Sequence, residues 1–267
     1  MAYNNVSLDK ICGSLSYAMG IDAPVSSESP DCTINELIDT KLKGKKADRI
    51  FMYNPDAIAQ WIYEKYQDFF IDVKNLTDTE LPLCSVMPSV TPVCFATMYT
   101  GTQPETHGIR KYEKPVLKTD SIFDALIRAG KKPAIVAESK SSMAMIYLEK
   151  DMDYYIYDTI EEVNSKAKEL ILEDKYDFIA VYNGDYDSAM HKYGPEGKIP
   201  VEKLKLNCEA FIEFAELIKE NWKHHNTLIG FAMDHGCHEI DGECGSHGLD
   251  MEEDLNIVHL YGVYTAE

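Results

Sequence analysis

The stretch Thr227-Leu-Ile-Gly-Phe-Ala-Met-Asp-His-Gly-Cys-His-Glu-Ile-Asp-Gly-Glu-Cys-Gly-Ser-His247 carries the reading that decides the fold. Its first seven residues are an apolar run of the length of one buried strand. Asp234 and His235 follow at once. A carboxylate and an imidazole at the end of a buried strand are unfavourable to desolvate unless something charged, most often a metal, compensates them. The stretch therefore predicts a covered sheet whose strand ends carry chemistry.

The pattern repeats upstream. The apolar run Asp177-Phe-Ile-Ala-Val-Tyr-Asn183 is followed by Asp187-Ser-Ala-Met-His191. If the chain turns helical there, a spacing of four puts Asp187 and His191 on one helical face, a geometry suited to two ligands of a single ion. A third segment, Pro88-Ser-Val-Thr91-Pro-Val-Cys94, places a hydroxyl where a strand ending near Val86 or Met87 turns into a helix. The first amides of that helix would favour an anion. Apolar runs at 50–54, 83–87, 133–137, 154–157, 178–182, 228–233 and 257–263 read as strands. Between them lie helical patterns. Val201, Leu204, Cys208, Phe211, Phe214 or Ala215, and Ile218 form one amphipathic stripe, and residues 121–130 read as a short helix stopped by Gly130. Such alternation indicates a largely parallel sheet covered on both faces, in which sites gather beyond the carboxyl ends of the strands.

In order along the chain come Thr91, then Thr100-Gly101, Pro104-Glu-Thr-His107-Gly-Ile109, Asp187-x-x-x-His191-x-x-Gly-Pro195, Asp234-His-Gly236 and Gly245-Ser-His247-Gly248. In this order the motifs resemble the alkaline phosphatase superfamily, most closely its type I phosphodiesterase and nucleotide pyrophosphatase branch. The resemblance spans about residues 48–263. It implies an α/β fold, a three-layer α/β/α sandwich with a mostly parallel central sheet. It also implies an alkaline phosphatase-like catalytic domain over 47–267. Residues 1–46 precede the first core strand and read as an N-terminal extension packing on the core, with covering the site or mediating assembly as alternatives.

The same resemblance implies two divalent ions, Zn2+ first and Mn2+ or Fe as fits. Asp187, His191 and His247 match the ligands of one. Asp234, His235, the nucleophile Thr91 and an aspartate, Asp56, match those of the other. Family members usually carry Asp-Gly where this chain has Asp56-Ala57, and a helix N-cap accounts for Asp56 as well. Cys94 stands where many relatives have an asparagine that holds a phosphoryl oxygen. A thiol is a poor donor, so Cys94 reads as a small packed residue. The expected activity is hydrolysis of a small-molecule phosphate ester, a phosphodiester first. A phosphomonoesterase or phosphomutase is the alternative within the superfamily, and a member that has lost turnover is a further one. A non-catalytic zinc-binding interaction module, built on Cys237, His238, Cys244 and His247, is the alternative of another class.

A net charge of −19 argues against nucleic acid or an anionic membrane as partner. It also repels a phosphorylated substrate. Arg110, Lys111 and Lys114 could offset that, although a solvated loop is the preferred reading of all three. Seven scattered cysteines form no disulfide framework, the first residues show no secretory leader and no apolar run approaches a membrane span. The cytoplasm is the expected location. Oligomeric state is not legible.

Overall fold

A computed structural model describes residues 2–267. Its frame is a sheet of eight strands: β1 (Val6–Ser7), β2 (Arg49–Pro55), β3 (Thr79–Cys84), β4 (Pro133–Glu138), β5 (Asp153–Tyr157), β6 (Phe178–Asn183), β7 (Thr227–Phe231) and β10 (Asn256–Tyr264). A separate two-stranded ribbon is made by β8 (His238–Ile240) and β9 (Cys244–Ser246). The large sheet runs β1-β3-β10-β7-β2-β6-β4-β5. Among the described residues of this sheet, only the pairings of β10, with β3 and with β7, are antiparallel. The sheet is thus mixed but mostly parallel.

The helices are α1 (Lys10–Met19), α2 (Cys32–Leu42), α3 (Gln60–Lys65), α4 (Ile71–Asn75), α5 (Thr91–Thr100), α6 (Pro104–His107), α7 (Ile122–Arg128), α8 (Ser142–Ile146), α9 (Ile160–Glu173), α10 (Asp185–Tyr193), α11 (Lys198–Asn221) and α12 (Glu252–Leu255). Successive strand residues point to opposite faces, and β2 shows what each face meets. Tyr53 packs on Phe211 and Phe214 of α11 and donates its hydroxyl to Asn207. Its neighbour Asn54 faces the other way and accepts from the Tyr99 hydroxyl of α5. α9 packs beside α11, whereas α1, α7 and α8 pack around α5. Three layers result.

The stripe expected over 201–218 lies within α11, where Leu204, Cys208, Phe211, Phe214, Ala215 and Ile218 are buried. The short helix expected near 121–130 is α7, opened by a reciprocal Ser121–Asp124 capping box. Residues 2–46 supply β1 at the sheet edge and α1 and α2, whose Ile11, Leu15, Ile34 and Ile38 join the same buried cluster as the strands.

One strand is displaced from its expected place. β3 ends at Cys84, and Ser85 to Val90 form a loop containing a cis Met87–Pro88 bond before Thr91 opens α5. A segment with two prolines and little alternation did not mark where pairing stopped.

Candidate active site

The carboxylates and imidazoles expected to hold ions lie beyond the carboxyl ends of strands, most of them central strands of the sheet. Asp56 directly follows β2, Asp187 lies in the first turn of α10 after β6, and Asp234 and His235 come just past β7. His247 arrives from the ribbon after β9. All of them converge with Thr91. Thr91 Oγ1 lies 3.2 Å from Asp56 Oδ2 and 3.3 Å from His235 Nε2. His235 Nε2 is in turn 3.3 Å from Asp56 Oδ1 and 3.4 Å from Asp234 Oδ2. On the second side, His191 Nε2 and His247 Nε2 each stand 3.3 Å from Asp187 Oδ1. The two groups touch through the His235 and His247 rings, whose centroids are 4.1 Å apart.

Among the described residues two clusters able to hold an ion emerge, Asp56/Asp234/His235 and Asp187/His191/His247, with the candidate ligand atoms in each mutually within 4.8 Å. Their surroundings fit that role. The Nδ1 atoms of His235, His191 and His247 contact the carbonyls of Gly236, Gly245 and Ser89 at 2.9, 3.0 and 2.9 Å. A carbonyl only accepts, so each Nδ1 carries the hydrogen, and each ring when neutral turns its Nε2 lone pair inward. This is the support from behind that metal-bound imidazoles receive. His191 Nε2 and His247 Nε2 face one another at 3.2 Å, an unfavourable approach for two lone pairs with no cation between them. Asp187 Oδ1 and Asp234 Oδ2 are buried without a directed hydrogen bond. Mixed imidazole and carboxylate donors suit zinc, and manganese or iron as well.

Charge is distributed unevenly. Burial, reinforced by nearby Asp187, pushes Asp56 up to about 7. Burial and the Asp56 charge push Asp234 well above the carboxylate range. Burial pulls His235 down to about 3. Asp187 goes the other way: burial opposes its charge, but the two imidazoles beside it hold it well below the usual range. Asp187 lifts His191 to about 9, and it raises His247 despite that residue's burial.

Several expectations need correction. Asp56 caps no helix, because α3 begins at Gln60 and is preceded by Ala59 at the cap. Ala57 instead takes a left-handed turn at φ 63°, and its amide donates to Asp234 Oδ1 at 3.2 Å. Of the opening amides of α5, that of Thr91 is left without a partner among the described residues. Pro92 has no N–H, and the amides of Val93 and Cys94 bond to the Val90 carbonyl. Cys94 is fully buried, and the Ser85 hydroxyl lies 3.2 Å from its sulfur, in keeping with a packed residue. The proposed structural zinc quartet does not assemble among the described residues: His238 pairs with Asp254 and His247 with Asp187, while the Cys244 thiol faces the Lys192 carbonyl.

The three basic residues after Ile109 separate. Arg110 bonds to the Glu105 carbonyl and Lys111 to Glu113 on the surface. Lys114 instead lines a cleft of about 190 Å³ above Asp56, Thr91, Tyr182 and Asp187, where its ammonium donates to the Lys140 carbonyl at 2.6 Å. Lys140 lines the cleft too. The sequence reading missed Lys140 and also Tyr182, whose hydroxyl donates to Asp56 Oδ2 at 2.5 Å. The one signal for Tyr182 was a phenol at the polar end of an otherwise apolar strand.

Comparison with known proteins agrees with this geometry. The family described as type I phosphodiesterase/nucleotide pyrophosphatase matches residues 71–261. Thr91, Asp187, His191, Asp234, His235 and His247 fall inside that match, and Asp56 lies upstream of it. No curated protein matches the sequence. Among solved structures, murine ectonucleotide pyrophosphatase/phosphodiesterase 5 superposes with a TM-score of 0.56 at 15% identity over 73% of this chain. The human protein of the same name gives 0.57 at 18% identity over 72%. An inactive threonine-to-alanine variant of the murine protein, in complex with AMP, gives 0.55 at 14% over 73%. This chain spans 58%, 58% and 59% of those three structures. At such identities the likeness is one of fold. No helix among the described residues is long and apolar enough to cross a membrane.

Proposed function

The chain belongs to the type I phosphodiesterase/nucleotide pyrophosphatase family, and on that footing we propose that it hydrolyses small-molecule phosphodiesters with Thr91 as nucleophile. Asp187, His191 and His247 would hold one divalent ion and Asp56, Asp234 and His235 a second, with zinc the first choice for both. The observation that carries the reading is the position of Thr91 Oγ1, buried and within 3.3 Å of a ligand atom on both Asp56 and His235. A β-branched side chain at the start of a helix has few rotamers, so the hydroxyl is held in place before substrate arrives.

When bound, the ions would supply Lewis acidity at the phosphoryl oxygens and lower the pKa of the attacking hydroxyl. The protein's own contribution is placement. Thr91 Oγ1 donates toward Asp56 Oδ2, which keeps its lone pairs free for phosphorus. Tyr182, bonded to the same Asp56 oxygen, fixes that carboxylate. In the first half-reaction the Thr91 O–P bond forms and one ester P–O bond breaks, the leaving alkoxide taking a proton to depart as an alcohol. In the second, water cleaves the Thr91 O–P bond, releasing the monoester and returning the proton to Thr91. Lys114 and Lys140 place positive charge at the cleft mouth of a strongly acidic protein, which eases the approach of an anionic ester. The inactive threonine-to-alanine state of the solved murine relative is what this role for Thr91 would lead one to expect.

The test is Thr91→Ala in protein loaded with metal, assayed on paired diester and monoester substrates. Turnover should fall by about 10³-fold or more with metal content retained, since loss of a nucleophile removes the covalent route. Near-native diester hydrolysis by Thr91→Ala would exclude the covalent mechanism. Fewer than two ions per active chain would exclude the ligand assignment.

A further inference from the structure

Behind the proposed site, on the far side of Gly236 and Cys237, lies a cavity of about 460 Å³ formed by α3, β8 and the approach to α12. It is more than twice the size of the cleft above Thr91. We propose that it binds a protonated organic amine carrying an apolar group.

Three observations converge on that ligand. Trp61 lines the cavity, and its indole N–H already donates to the Cys237 carbonyl at 2.8 Å. What Trp61 offers a ligand is therefore its ring, with Met251 beside it as further apolar surface. His238 also lines the cavity at only 9% exposure. Its Nδ1 contacts Asp254 Oδ1 at 2.7 Å, and the other oxygen of that fully buried carboxylate accepts from the Leu249 amide at 2.8 Å. A carboxylate held in this way accepts the Nδ1 hydrogen, so in the neutral ring the opposite nitrogen, Nε2, presents its lone pair with no protein partner among the described residues. An acceptor left unpaired toward a cavity is available to a ligand's donor.

Charge supplies the third observation. Among the described residues no lysine or arginine lines the cavity, whereas four glutamates do, of which Glu252 has a partner of its own. Glu196 is already paired with Lys65. Glu239 and Glu253 are exposed at the rim without an ion-pair partner among the described residues. An N–H donor to His238, a cation for the glutamates and the Trp61 face, and an apolar body against Trp61 and Met251 describe one ligand class. A neutral aromatic would leave the glutamates unanswered, and a metal ion would leave the ring unused.

The probes are benzylammonium, benzyltrimethylammonium and benzyl alcohol, titrated calorimetrically into the full chain at low ionic strength. Benzylammonium should bind saturably at one per chain. Benzyltrimethylammonium should bind about fivefold or more weakly, because it cannot donate to Nε2. Benzyl alcohol, without charge, should bind about tenfold or more weakly than benzylammonium. Replacing both rim carboxylates, Glu239→Gln with Glu253→Gln, should weaken benzylammonium about tenfold and leave the melting temperature unchanged, since both are exposed. Trp61→Phe should bind better than Trp61→Leu. No saturable binding, equal affinity for all three probes, or an affinity indifferent to the glutamate pair would each overturn the proposal. So would displacement of benzylammonium by calcium, which would assign the cavity to a metal ion.

Discussion

The two clusters around Thr91 differ in composition and in burial, and the differences compound. Asp56, Asp234 and His235 have side chains no more than 1% exposed. The second trio exposes 18% of Asp187, 41% of His191 and 7% of His247. The inner trio has two carboxylates and one imidazole, so burial drives it to shed charge: Asp56 and Asp234 rise and His235 falls. The outer trio has one carboxylate and two imidazoles, which neutralise one another across Asp187. Similar residue types thus give one cluster whose buried charge is left uncompensated by the protein and one that partly compensates its own.

The largest effect should come from testing that asymmetry directly. Asp234→Asn keeps the shape of the inner cluster and removes half its carboxylate charge. We expect diester turnover to fall by about 10³-fold or more, the equivalent of several kcal/mol of transition-state stabilisation, with loss of one ion. His191→Asn, at the solvent edge of the outer cluster, should cost about 10²-fold and raise the exchange rate of the other ion. Elemental analysis and turnover measured together read both. Equal losses, or a larger loss from His191→Asn, would erase the distinction between the clusters.

A smaller effect sharpens the same comparison. Among the described residues of the two clusters, Tyr182 hydrogen-bonds only to Asp56, in the inner one. Groups that orient a ligand from behind are worth about 10- to 100-fold in metal affinity or activity. Tyr182→Phe should therefore loosen the inner ion by about tenfold while the outer ion, followed by competitive chelation, keeps its affinity. A uniform loosening of both ions would mean that Tyr182 acts through the sheet and not through Asp56.

How far the sequence discloses this site depends on what kind of signal each residue gives. Asp187 and His191 are legible because a helical spacing of four predicts a shared face, and α10 supplies it. Asp234 and His235 are legible because ionisable groups interrupt an apolar strand. Strands over 49–55 and 178–183 follow from continuous apolar runs, as central parallel strands do. β3 is misplaced because proline and a single buried face weaken its pattern. The ribbon of β8 and β9 goes unread, because three-residue strands rich in glycine and charge have no periodicity to detect. Lys140 and Tyr182 depend on contacts made across the fold, with Lys114 and with Asp56, which no local window contains. Asp56 is the intermediate case, where one residue fits two local readings and only the start of α3 at Gln60 separates them.

Stability without metal should show the imbalance as a pH trend. Between pH 7 and 9 the groups with folded values above their unfolded ones include Asp56, pushed up to about 7, Asp234, pushed well up by burial, and His191 and His247, raised by Asp187, and burial raises the Cys12, Cys94, Cys208 and Cys237 thiols in the same direction. In that window the native state holds protons that the unfolded chain has released, so stability falls as pH rises. His235, His107 and His259 are lowered to about 3, 4 and 4, so their windows close below pH 7. The melting temperature of chelator-treated protein should therefore decline from pH 7 to 9. Metal-loaded protein should decline less, because ions occupy the same lone pairs as the protons. A flat or rising curve for the stripped protein would show that the raised groups do not titrate as the geometry requires.

The smallest effect concerns Ala57, at the hinge between β2 and the inner cluster. A left-handed conformation costs a residue with a Cβ about 1–2 kcal/mol relative to glycine. Ala57 adopts it at φ 63° while fully buried, with its amide directed at Asp234. Ala57→Gly relieves that strain but frees the unfolded chain by about 0.4–1 kcal/mol. The two terms oppose and nearly cancel, so stability should change by less than about 1 kcal/mol, a melting shift of a few degrees at most. The turn and its hydrogen bond to Asp234 belong to the backbone, so inner-ion affinity should also be unchanged. Ala57→Val, which adds β-branching to the same strained backbone, should lower both. If Ala57→Gly instead loosens the inner ion, the buried methyl and not the backbone turn holds Asp56 against Asp234. The inner cluster would then owe its rigidity to packing at a single carbon.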